Sequence, residues 1–180
     1  MEKRTRPILM PLIQGVPHTI STFDQKYLAT WIAKTVMVAE YAFPANVAVP
    51  DRERLHMLAN LEPPPNWKIW IADYRETKWR NLAISHHIAA LFPSKTDKPE
   101  SAPPDTHLTC MGIGHFFVCA VATTDIRRFS LKDDSVSDLR CIWPVRLDRL
   151  SWPPAGMLTD DKADYIAASL SRVAGIPSVP

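Results

Sequence analysis

The hydrophobic period of this chain changes once, at the run Pro63-Pro64-Pro65, and that change limits the folds open to it. Ahead of the prolines apolar residues recur at helical spacing. Behind them they alternate, with Trp67, Ile69, Ile71 and Asp73 on one side and Lys68, Trp70, Ala72 and Tyr74 on the other, which is the pattern of a strand. Strand character then dominates until Asp160 and Asp161 open a last amphipathic helix. Helices, then strands, then a helix predict an α+β fold, with N-terminal helices and a C-terminal helix packed on a mostly antiparallel sheet.

The helical part spans 1–62. Within it, 21–43 reads as one helix: Ser21 and Asp24 stand at capping-box spacing, with Asp in place of the usual Glu, and Pro44 ends the run. Leu28, Trp31, Ile32, Val36, Ala39 and Phe43 cover most of its circumference and leave a narrow polar stripe of Lys26, Thr30 and Lys34, so it is predicted to be central and buried. Pro50 opens a shorter helix over 51–61, and 2–13 is helical in part, with Pro11 removing a bond from its interior. In the strand-rich part, 66–150, the segments 82–92 and 108–123 are apolar enough to pair, and 127–131 and 139–143 are shorter strand candidates. Between the two long segments, 93–106 carries four prolines and almost nothing to bury, so it is expected to be a mobile loop. The last helix covers 159–175: Ala163, Ile166, Ala167, Leu170 and Ala174 share a face, and Gly175 supplies the stop.

A chain of 180 residues with 46% apolar composition supplies one domain-sized core, so the expectation is a single domain over 1–180. Three cysteines without a C-x-x-C pair argue for a reducing compartment and a cytoplasmic address. Pro7, Pro11 and Gln14 interrupt any signal-peptide core, and no uncharged run reaches the roughly 20 residues a bilayer requires, so no membrane partner is expected. A net charge of +2 gives no long-range field for nucleic acid, so any basic surface must be local.

Signatures of familiar chemistry are few. Gly112 and Gly114 lack the third glycine of a dinucleotide loop and the Lys-Ser or Lys-Thr of a phosphate loop, and the nucleophile-elbow pattern is missing, so no cofactor is expected. Cys110, His115 and Cys119 are the densest group of metal-ligand types. On a single strand Cys110 would point away from the other two, and free cysteine is ordinarily a small core residue. His86 and His87 are adjacent, so a strand sends them to opposite sides. Basic residues interleave with tryptophan at Trp67, Lys68, Trp70, Lys78, Trp79, Arg80 and again at Arg140, Trp143, Arg146, Arg149, Trp152. Rings beside cations are how single strands are held, although core tryptophan with flanking surface charge gives the same pattern.

The run Arg6-Pro7-Ile8-Leu9-Met10-Pro11-Leu12-Ile13-Gln14-Gly15, the segment 28–38, and Ile142-Trp143-Pro144 with Trp152-Pro153-Pro154 resemble the region that follows the nuclease motif in HNH-endonuclease-like proteins of bacteria and phages. In that family, the resemblance implies, a zinc-bearing cysteine module with His and Asn chemistry stands just before the segment like 6–15. Here the first histidine is His18, so no family catalytic or metal residue carries over. The expectation is a non-catalytic accessory or binding module of phage or mobile-element type, associating with nucleic acid or with a nuclease-containing complex. Its contacts would be Lys3, Arg4, Arg6, Lys68, Trp70, Trp79, Arg80, Arg146 and Arg149. The alternatives are a protein-binding inhibitor or subunit that docks through exposed tryptophan and the 93–106 loop, and an enzyme using His86, His87, Cys110 or His115.

Overall fold

In the computed structural model, which describes residues 2–42, 47–91, 104–126 and 137–173, the helices before the prolines lie against the strands after them. The helices are α1 (Glu2–Gln14), α2 (Thr22–Ala39), extended by a 3-10 turn over Glu40–Ala42, and α3 (Asp51–Asn60). The main sheet comprises β2 (Trp67–Tyr74), β3 (Ala83–Ala89), β4 (Thr106–Ile113), β5 (Phe116–Thr123) and β6 (Arg140–Trp143), in the order β3-β4-β5-β2-β6. All its neighbours along that order are antiparallel, and β8 (Met157–Leu158) adds a short parallel pairing to the end of β2. A separate antiparallel pair joins β1 (His18–Ser21) to β7 (Arg149–Trp152). The class is α+β, as the change of period predicts.

Both faces of the sheet are covered. Leu28, Ile32 and Val36 of α2 share one core with Ile69, Ile71, Phe116 and Val118. On the other face α4 (Asp160–Ala167) and α5 (Ser169–Val173) bring Ala163, Ile166 and Leu170 onto Leu108, Cys110, Phe117 and Val121. Each large aliphatic or aromatic side chain buried this way contributes roughly 1.5–3 kcal/mol. The capping box at the head of α2 forms as its spacing predicts: Asp24 N donates to Ser21 Oγ at 3.2 Å and Ser21 N to Asp24 Oδ2 at 3.0 Å.

Four details depart from the sequence reading. The run 108–123 is not one strand but the hairpin β4–β5, turning at Gly114-His115, where Gly114 has φ +58° and an added Cβ would strike the Ile13 carbonyl. Within the part read as helical, 18–21 forms β1, because β7 supplies its ladder partners from far along the chain. The last helix is broken at Ala168 into α4 and α5. The pairing of β2 with β8 is parallel. The strand expected over 127–131, residues 93–103 of the expected loop, and Gly175 lie outside the described residues, while Thr106 begins β4.

Candidate nucleic-acid interface

Alternation along β2 sends Lys68 and Trp70 to the sheet face that also carries α4 and α5, at the end of the strand remote from β8. Trp70 stands between Cys119 of β5 and Cys141 of β6, half-buried against the second core. Burial pushes the Cys141 thiol up, and the charges of Arg146 and Lys68 oppose that shift. Lys68 and Trp70, two residues apart, thus share one face of β2 beside β6, and Arg146, just past β6, brings its charge near Cys141.

The loop carrying Arg146 is fixed to the head of α2. Gln25 Nε2 donates to the Leu147 carbonyl at 2.9 Å, and Thr22 Oγ1 donates to the Asp148 carbonyl at 3.1 Å. Arg149 follows at the start of β7, opposite Ser21. Beside it Phe23 is 75% exposed and Leu147 50% exposed, so the cations share this corner with apolar surface.

The other expected contacts lie elsewhere. Lys3, Arg4 and Arg6 are exposed on α1, and Arg4 donates to the Tyr27 hydroxyl at 2.7 Å. Arg80 is exposed beside the β4–β5 turn, its guanidinium 3.4 Å from His115 Nε2. Trp79 is a correction: it is buried, its indole N–H donates to Asp164 Oδ1 at 3.0 Å, and its ring meets Phe117 edge to face, so it offers no free face for stacking. Of the other tryptophans, Trp67 and Trp152 are buried as well, while Trp31, Trp70 and Trp143 are half-buried.

The weak metal candidates do not converge. The hairpin sets Cys110 directly opposite Cys119, on one face rather than two, and burial together with its neighbour Cys119 pushes the Cys110 thiol well up. His115 sits in the turn, roughly 10 Å further along the ladder. There its Nδ1 lies 3.5 Å from Asp73 Oδ1. Among the described residues no group of three His, Cys, Asp or Glu side chains could hold a metal ion. His86 and His87 point to opposite faces: His86 Nδ1 is 2.7 Å from Thr109 Oγ1, while His87 lies between Ser85 Oγ at 2.8 Å and Ser171 Oγ at 3.1 Å.

A second feature has no counterpart in the sequence reading. The first turn of α3 faces the open end of the β4–β5 and β2 strands across two adjoining clefts of about 300 and 190 Å³, which share Arg52, Glu53 and Thr124. Glu53 is buried there and accepts from Asn66 Nδ2 and from Trp67 Nε1, both at 2.7 Å. His107, which lines the smaller cleft, is 3% exposed, and neither ring nitrogen has a partner. Burial, reinforced by His86 and Arg54, pushes it down to about 3, so it is a neutral imidazole. Sequence spacing gives no signal for this site, because its walls come from four separate segments. Among the described residues no helix is long and apolar enough to cross a membrane. Comparison with protein-family models, with curated proteins and with solved structures found no match.

Proposed function

We propose that the chain is a non-catalytic binding module, related to HNH-type nucleases, that associates with single-stranded nucleic acid through the corner formed by Lys68, Trp70, Arg146 and Arg149. The observation that carries this reading is that Trp70 stands beside Cys141 with Lys68 on the same face of β2, that the charges of Lys68 and Arg146 act on that thiol, and that Arg149 follows at the start of β7. A ring beside cations stacks a base and meets phosphates without reading sequence. The sequence resemblance to HNH-endonuclease-like proteins supports the nuclease context.

The test is a fluorescence-anisotropy titration of the full chain with a labelled single strand at rising salt. Three cations imply that log K falls with log salt at a slope of about −2, from roughly 0.7 per phosphate contact. Trp70→Ala weakens binding by about 1–3 kcal/mol. No affinity at low salt overturns the reading. A second reading, a docking subunit of a nuclease-containing complex, rests on α3, where Leu55, Leu58 and Leu61 are each more than 60% exposed on one side of the helix. It predicts that Leu58→Glu abolishes recovery of a specific partner while leaving the fold intact; unchanged recovery counts against it.

A further inference from the structure

We infer that the cleft beside Glu53 takes one extruded guanine from the bound strand, with the Glu53 carboxylate accepting from the base and Arg52 at the mouth meeting its phosphate. This rests on the nucleic-acid reading and deepens it.

Asn66, just ahead of β2, lines the larger cleft, and Lys68 follows two residues later, at most about 7 Å along the chain. The cleft opens beside Trp67 and His107, on the sheet face opposite Trp70, so a strand stacked on Trp70 reaches it by passing round that end of β2. The combined space is of the size in which small planar ligands are held.

The cleft also holds unused hydrogen-bonding capacity. A carboxylate has about four acceptor sites. Glu53 gives one on each oxygen to a neutral donor, and no cation pairs with it among the described residues, so each oxygen retains a site. The His107 ring is buried with neither nitrogen paired, and His56 Nε2 on the opposite wall is buried without a partner as well. Burying such groups is unfavourable unless something supplies their bonds. The walls thus present carboxylate acceptors and buried imidazole nitrogens, with a single cation at the rim.

That combination selects among occupants. Guanine sets a ring N–H and an exocyclic amine side by side, matching the two oxygens of a carboxylate. Adenine and cytosine offer one amine, whereas thymine and uracil would turn carbonyls toward Glu53. A cationic side chain would also suit a carboxylate, but Arg52 at the mouth repels it. Extruding a base from a single strand costs little, because no pairing is broken.

The experiment compares the full chain binding a thymidine homopolymer with the same length carrying one central guanine. The expected result is at least about tenfold tighter binding of the guanine strand, the lower end of what a bidentate base contact supplies. Glu53→Gln should remove that preference while homopolymer affinity is unchanged. Replacing the guanine by inosine, which lacks the exocyclic amine, should reduce the preference without altering the protein, so the test survives a variant that fails to fold. Equal affinity for both strands overturns the guanine site and leaves the Trp70 surface standing. Binding of neither strand overturns both. Loss of the guanine preference in argininamide at concentrations where added guanosine has no effect overturns it in favour of a basic peptide.

Discussion

Replacing His107 by leucine should make the protein less sensitive to acid. The ring packs edge to face on Trp67, with centroids 4.9 Å apart, and both nitrogens are shut away from water. Its folded value of about 3 lies far below the 6.5 of an exposed histidine. Between those two values the unfolded chain binds a proton that the folded chain does not. Stability attributable to this ring is therefore intact above pH 6.5 and falls as the solution is acidified toward 3. Each pH unit in that window removes about 1.4 kcal/mol, and the accumulated loss between pH 7.5 and 5 is about 2 kcal/mol. Leucine has similar bulk and no proton to bind, so His107→Leu lacks this loss; the contact it forfeits with Trp67 is a constant offset at every pH. Urea unfolding of both proteins at pH 7.5 and 5 measures the difference, with equal urea slopes confirming the same unfolding transition. If both lose the same stability over that interval, the buried neutral imidazole is refuted.

Two further outcomes follow from backbone geometry. Leu61 caps α3 with φ +52° and is 62% exposed, so Leu61→Gly should raise stability by about 1 kcal/mol in the same urea assay, because a left-handed residue costs roughly that much with a side chain. Gly114→Ala should do the opposite, by about 1–3 kcal/mol, since the turn has φ +58° and the Ile13 carbonyl fills the space; no change in stability would mean the β4–β5 turn is built otherwise.

Much of the architecture was legible because it is local. Asp24 three residues after Ser21 marks the head of α2, and the alternation around Trp67, Ile69 and Ile71 marks β2, whose faces meet different cores. The hairpin at Gly114-His115 was hidden because β4 and β5 are buried on both faces, so apolar residues run on without alternation and Gly112, Gly114 and His115 are the whole mark of the turn. β1 was hidden because its four residues gain strand geometry only from β7, more than a hundred residues later. At the proposed interface, the Trp/Arg pattern singled out Trp70 and Arg146 but equally Trp79, which Phe117 and Asp164 hold inside. Flanking charge does not tell a packed ring from an open one. The cleft at Glu53 was illegible for a similar reason: a glutamate in the first turn of a helix reads as favourable charge, and only the fold turns it toward Asn66 and Trp67.

In the proposed function Trp70 is the stacking ring of this surface. Tryptophan emission of the full chain, titrated with a single strand at low salt and compared with Trp70→Phe, tests it most directly. The account predicts saturable quenching that vanishes in the variant and fades as salt rises; quenching that persists undiminished in Trp70→Phe, or its absence from the unaltered chain, would contradict it.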